Sequence, residues 1–372
     1  MAEKIASTRL VDIGWAEDTD NQDILDLSSR CVQSGMIWMY PDRSPVFNRI
    51  HRLLDADSYH ATARTRDRIV GLLGALHTDL YLGDTLLRTA YWMDFRVDPD
   101  YRNGLIAYRM IKPIIARERE CGSRMALATL LKNNEAPLVF TKGRGGFPAS
   151  LYLGDNRIFN IFPIRKYKTN PGYLIDHPHA EEIPEIVELY NRFYGGYRLA
   201  PRIDRDTLEK YIGGIEGLSL ENFWVARKGG RIRAVLAAWD EEPFKRYVIL
   251  KTNIWIRMMS ALLRVTSLFT RMPARIPNKG PLTQLSLVLY AHDQDIEGLG
   301  TLIRHVNNLN IGGKYSLIQI QIHQDDPANS CLKGLAGISV YNEIHVFTDT
   351  HQLARDIRNR PGVVHLEFPT YI

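Results

Sequence analysis

Val97-Asp98-Pro99-Asp100-Tyr101-Arg102-Asn103-Gly104-Leu105-Ile106-Ala107 is the stretch whose reading decides the fold. An apolar run over 87–97 enters it with the pattern of a strand, and a helical pattern over 105–117 leaves it. Between the two lies a short turn rich in Pro, Arg, Asn and Gly. A strand that breaks into such a turn and then a helix aims several backbone N–H groups at one point. The helix start adds partial positive charge there, so the point suits a phosphate or pyrophosphate.

Bulk properties bound the rest. The chain has 372 residues, 45% hydrophobic and 24% charged, with a net charge of +5. That length accommodates two domains. The charge permits anionic ligands, but no dense Lys/Arg run interleaved with aromatics argues for nucleic acid. Cys31, Cys121 and Cys331 are widely separated and odd in number, which points to a reducing compartment and away from disulfides or a zinc site. The first residues lack a signal pattern and no apolar run is long enough to span a bilayer. The expected location is cytoplasmic, or peripheral to a membrane.

Working outward, strands are expected over 9–15, 59–64, 69–77, 125–131 and 158–164, with helices over 24–32, 46–54 and 136–141. This is an α/β domain with a mixed sheet over 1–167. Asn170-Pro171-Gly172 marks a boundary, after which a similar order begins again over 168–372. The repeat is seen best where Asn133-Asn134-Glu135-Ala136 and Asp325-Asp326-Pro327-Ala328 each follow an apolar strand and open a helix. The second copy has Ala291-His292-Asp293-Gln294-Asp295 in place of the phosphate turn, and its acids would repel a pyrophosphate.

In this order and spacing, the stretch from Val97 to Ala107 and the pattern Asn133-x-x-Ala136-x-x-Val139-Phe140, followed by Gly146-Phe147, resemble the two cofactor motifs of the GNAT N-acetyltransferase superfamily. The resemblance covers roughly residues 8–165, and the repeat resembles tandem members in which one copy has lost its site. It implies two GNAT-like domains in tandem, the second degenerate, with acetyl-CoA or another acyl-CoA as co-substrate and no metal. Residues Arg102, Asn103, Gly104, Leu105, Ile106 and Ala107 would hold the pyrophosphate, a backbone N–H near Phe95 to Val97 would polarise the acyl carbonyl, and Asn133, Ala136 and Phe140 would complete the cofactor site. A primary amine would attack the thioester directly. Two departures stand out: Leu105 replaces a usual glycine, and Phe140 replaces the tyrosine that protonates the leaving thiolate. Tyr101, Tyr108 or water is the expected substitute.

Asp94 is the expected general base, with Trp92, Met93 and Phe95 raising its pKa; a solvent-facing strand acid or a salt bridge to Arg96 is the plainer alternative, and Glu135 is a second candidate that reads more simply as a helix-capping acid. His60 and His77 lie on neighbouring strands and read as structural histidines. His292, His323 and His345 match no metal pattern. The aromatic group Tyr190, Phe193, Tyr194 and Tyr197 reads as core, or as a wall of the acceptor cleft. Residues 243–292 contain no Asp or Glu, and 253–269 carry an apolar stripe at helical spacing. This insertion, near 243–280, is expected either to pack on the domain junction or to meet an acidic carrier protein or an anionic membrane. The expected function is N-acyl transfer to a small or lipid-like amine. A non-catalytic acyl-CoA-binding scaffold is the alternative, and a carrier-dependent transferase ranks third.

Overall fold

A computed structural model of the full chain describes residues 11–35, 37–54, 56–102, 105–132, 134, 140–143, 150–258 and 276–366. The first half runs β1 (Asp12–Trp15), α1 (Asn21–Arg30), β2 (Ile37–Asp42), α2 (Arg49–Leu53), β3 (Ser58–Arg64), β4 (Ile69–Leu82), β5 (Thr85–Val97), α3 (Leu105–Glu120), β6 (Met125–Leu131) and β7 (Leu151–Ile161). The second runs β8 (Leu174–Asp176), α4 (Ile183–Tyr194), α5 (Arg205–Gly214), β9 (Phe223–Lys228), β10 (Arg231–Trp239), β11 (Arg246–Thr252), β12 (Gly280–Leu282), β13 (Gln284–His292), α6 (Ile296–Leu309), β14 (Leu317–His323), β15 (Gly337–Phe347) and α7 (His351–Asn359).

Among the described residues, twelve of these strands form one sheet in the order β1-β3-β4-β5-β6-β15-β7-β14-β13-β10-β9-β8. The centre of that order departs from two side-by-side domains. The last strand of each half has crossed into the other: β15 lies between β6 and β7, and β7 lies between β15 and β14. Side chains stitch the exchange, with Asn156 donating to Gln321 at 2.7 Å and Arg157 to Ser339 at 2.9 Å. Gly154, at φ +107°, makes this packing feasible, because a Cβ there would meet the His323 ring at 2.3 Å.

The faces of the first half are filled unequally. Ile106, Met110, Ile111 and Ile114 of α3 pack on Val70, Leu73 and Ala75 of β4. Ile24 and Leu27 of α1, with Phe47, cover Ile69 and Leu72 on the other face. Val70 is an extra residue where the β3–β4 register shifts, between Arg64↔Ile69 and Ala63↔Gly71, and this break in the alternation lets Val70 share a face with Leu73 and Ala75.

A second sheet, β12-β11-β2, ties the halves together above the α1 face. Arg246 pairs with Asp42 in register and by an ion pair at 2.9 Å. The expected basic insertion therefore begins as strand β11. Only its residues 254–258 are described as helix; Ile254, Trp255 and Met258 there are exposed and Ile256 is buried. The remainder of the expected helix lies outside the described residues. No helix among the described residues is long and apolar enough to cross a membrane.

Candidate active site

The site begins where two parallel strands part. β5 and β6 are paired only from Thr89↔Met125 to Trp92↔Ala128. Beyond that point β5 stays on β4, through Gly74↔Met93 and Gly71↔Val97, while β6 follows β15, through Thr129↔Ile344 and Leu131↔Asn342. A V-shaped gap opens between them. At its apex the β4–β5 register shifts, so that Asp94 and Phe95 stand opposite Leu73, and Asp94 adopts φ 57°. This is a β-bulge using the left-handed conformation that Asp tolerates better than most residues. It turns Phe95 to the α3 face, where its ring meets Phe140 edge to face at 5.6 Å.

The phosphate turn caps the gap. Asp98 is buried, accepts a hydrogen bond from the Asp100 N–H, and pairs with Arg30 at 2.8 Å and Arg68 at 3.5 Å. Tyr101, half-buried, packs against the α3 core with Arg68 6.0 Å over its ring. Arg102 Nε donates to the Val97 carbonyl at 3.0 Å. Helix α3 then starts at Leu105 with no acidic residue in its first turn. Leu105 is exposed, whereas Ile106 and Ala107 are buried. Asn103, Gly104, Asn133, Glu135 and Ala136 lie outside the described residues.

On the other face, Asp94 anchors a buried charge cluster. Both carboxylate oxygens accept from Arg43 at 2.7 Å, Arg96 donates at 3.0 Å, and His60 Nε2 stands at 3.3 Å. Burial by itself would raise the Asp94 pKa. The Arg43 and Arg96 guanidinium groups, with the His60 hydrogen bond, outweigh it and hold the carboxyl well below the usual range. The expected upward shift is thus corrected: Asp94 has apolar sequence neighbours but two cationic spatial ones. His77 is held between Asp57 at 2.6 Å and Glu118 at 2.9 Å, so both histidines on these strands have defined partners.

His51 of α2 completes the cluster. It is buried, and neither ring nitrogen has a hydrogen-bond partner among the described residues. Desolvation, reinforced by His60 and Arg43, pushes its pKa down to about 3. An unfolded chain therefore takes up a proton near pH 6.5 that the folded chain refuses until about pH 3. Stability should fall with falling pH across that window, by up to about 1.4 kcal/mol per pH unit from this group. Urea unfolding of the wild type and His51→Leu at pH 7, 5 and 4 checks this. The variant should lose correspondingly less stability on acidification; parallel pH curves would contradict the assignment.

The second half repeats the strand geometry. β13 and β14 are paired only from Gln284↔Leu317 to Leu287↔Ile320. Leu289, at φ 49°, lies in a bulge opposite Leu236, as Asp94 lies opposite Leu73. Here Tyr190 donates to the Leu289 carbonyl, and the rings of Phe193, Tyr290, His292 and His365 pack at 4.9–5.8 Å. The expected aromatic patch is core. At the helix start, Asp295 accepts from the Gly298 N–H at 3.1 Å and from the Tyr173 hydroxyl at 2.6 Å. Asp295 is thus the N-cap of its helix.

Three residues at the first gap carried no local signal as a group. His345 of β15 pairs with Ala128, the last β6 residue before the gap, and so lies on the α3 face. Its Nδ1 is 2.8 Å from Ser150 Oγ and its Nε2 is 3.1 Å from Glu343. Among the described residues no group of three His, Cys, Asp or Glu side chains is placed to hold a metal ion.

The sequence model of the acetyltransferase (GNAT) family matches residues 22–145. No curated protein matches the chain in sequence. Among solved structures it resembles Saccharomyces cerevisiae N-myristoyltransferase with bound myristoyl-CoA, at 13% identity and TM-score 0.60, over 91% of this chain and 78% of that one. A second structure of that enzyme with myristoyl-CoA gives 13% and 0.61 over 91% and 82%. A third, with myristoyl-CoA and inhibitors, gives 15% and 0.61 over 90% and 80%. Residues 22–145 thus match the acetyltransferase (GNAT) family model, and the chain as a whole shares the fold of these N-myristoyltransferase structures.

Proposed function

We propose that the protein is an acyl-CoA-dependent N-acyltransferase that transfers an acetyl or longer acyl group to a primary amine by direct attack. One observation carries this reading: a parted parallel strand pair, bulged at its apex, leads into an acid-free helix start within the segment that matches the GNAT family. The pyrophosphate would lie at Arg102, Asn103, Gly104, Leu105, Ile106 and Ala107, held by backbone N–H groups and the α3 dipole. The pantetheine would run down the gap past Phe140, and Asn133 and Ala136 would line its far side. The thioester would sit beside Phe95 and Val97, where strand N–H groups freed from the β6 ladder polarise its carbonyl. Tyr101 belongs to the phosphate end of this arrangement. Asp94 is assigned to holding the bulge rather than to taking the ammonium proton, because a carboxylate paired with two guanidinium groups is a poor base.

Calorimetric titration with CoA, acetyl-CoA and myristoyl-CoA, followed by thiol-release assays over a panel of primary amines, tests the reading. Saturable binding and amine-dependent release are expected. Absence of binding by all three would overturn it, and binding without release would leave a non-catalytic acyl-CoA-binding protein. The finer assignment of the acceptor as lipid-like, with 243–280 meeting an anionic surface or acidic carrier, draws on exposed Ile254, Trp255 and Met258 beside Lys251 and Arg257. Repeating the assay with anionic vesicles reads that part, and rates indifferent to vesicles and salt would remove the membrane.

A further inference from the structure

The leaving group is where the first half is chemically incomplete. An amine attacking the thioester forms the C–N bond and breaks the C–S bond, and the electron pair goes to sulfur. In the resemblance, a tyrosine at the position of Phe140 supplies the proton that the thiolate takes up. Phenylalanine has none to give.

The exchanged strand brings one in. Ser150 immediately precedes β7, and its N–H and Oγ lie 3.1 Å and 3.3 Å from the carbonyl of Thr141, the residue after Phe140. Its Oγ is 2.8 Å from His345 Nδ1, and Glu343 is 3.1 Å from His345 Nε2. Whenever the ring carries a proton on both nitrogens it can donate to Glu343 and to Ser150 Oγ together, and the serine O–H can then donate forward. Ser150 Oγ also lies 3.3 Å from the Thr141 carbonyl. The ring is otherwise faced by Tyr152 at 5.6 Å, whose hydroxyl is turned to Asp155, which in turn pairs with Lys132.

We propose that Ser150, recharged by the His345–Glu343 pair, is the proton donor to the departing CoA thiolate and replaces the absent tyrosine. The inference rests on the acyl-transfer reading above. Ser150 gives its hydroxyl proton to sulfur and takes the Nδ1 proton of His345. The neutral imidazole keeps its Nε2 proton on Glu343 and is reprotonated from solvent. The two protons lost by the attacking ammonium go to solvent, so the sum is amide, free thiol and one released proton. Ser150 is the catalytic residue, and His345 and Glu343 act through it. The second half thereby contributes to chemistry in the first.

The test is a rescue. Thiol release is measured for the wild type, Ser150→Ala, His345→Gln, and each of these combined with Phe140→Tyr. Ser150→Ala should lower kcat by about 10²-fold, the low end of what a positioned proton donor contributes, with acyl-CoA affinity unchanged by calorimetry. Phe140→Tyr should restore most of kcat in both backgrounds, a result that repair of packing would not give. Ser150→Ala removes one half-buried hydroxyl, so it carries the test even if His345→Gln unfolds. An active wild type whose Ser150→Ala variant keeps its kcat, or is not rescued by the tyrosine, overturns the relay and leaves acyl transfer standing. A wild type that binds acyl-CoA but releases no thiol overturns both.

Discussion

Asp94→Asn should cost the protein about 3–5 kcal/mol of unfolding free energy, the usual penalty for removing one partner of a buried ion pair. The Asp94 and Arg43 side chains are only 2% and 9% exposed, so neither guanidinium can turn to water when the carboxylate is lost. Arg43 and Arg96 would then face each other across a neutral amide. Asn is the informative replacement because it keeps the size and tolerates the left-handed backbone at φ 57°, so the loss reports charge and not strain. Urea unfolding followed by circular dichroism measures it. A second variant apportions the effect: adding Arg43→Met should return part of the lost stability, since removing both charges leaves fewer orphaned groups. Acyl-CoA binding should weaken together with stability, because the bulge sets the edge of the gap. If Asp94→Asn instead kept full stability and lost only kcat, the general-base role expected from the sequence would be restored.

What could be read in advance, and what could not, divides by range. The strand over Met125–Leu131 was expected at those residues, and a strand, a turn and then a helix were expected around Val97. Both depend on neighbours in sequence. The repeat was also legible, because equivalent strands and helix starts recur in order. β2 was missed: Pro41 and a mixed pattern hide it, and it exists because Arg246 to Thr252 of the other half pair with it. The sign of the Asp94 pKa shift was misjudged for the same reason, since Arg43 stands far away in sequence and beside it in space. Ser150 and His345 are far apart in the chain, and only the placement of β15 between β6 and β7 joins them. No local periodicity encodes a strand exchange.

That exchange makes the strongest physical claim about domain structure, and cutting the chain tests it. The boundary expected at 167/168 lies in a connector, yet it does not separate two self-sufficient sheets. A fragment of residues 1–167 would keep β1 to β7 but lose both neighbours of β7, which are β15 and β14, and the β15 partner of β6. One edge of β6 and both edges of β7, with their Leu, Ile and Phe side chains, would be left unpaired, the condition under which strands recruit other chains. Ile344, Val346, Leu353 and Ile357 would also be missing from the core that includes Leu76, Tyr91 and Leu127. The fragment is therefore expected to be insoluble or to lack a cooperative thermal transition, and residues 168–372 alone should fare no better. Expressed together, the two should be soluble and co-purify, because each supplies the other's central strand without a covalent link. A fragment 1–167 that is monomeric and unfolds cooperatively would show that the exchanged strands are an addition to the first domain and not part of its core.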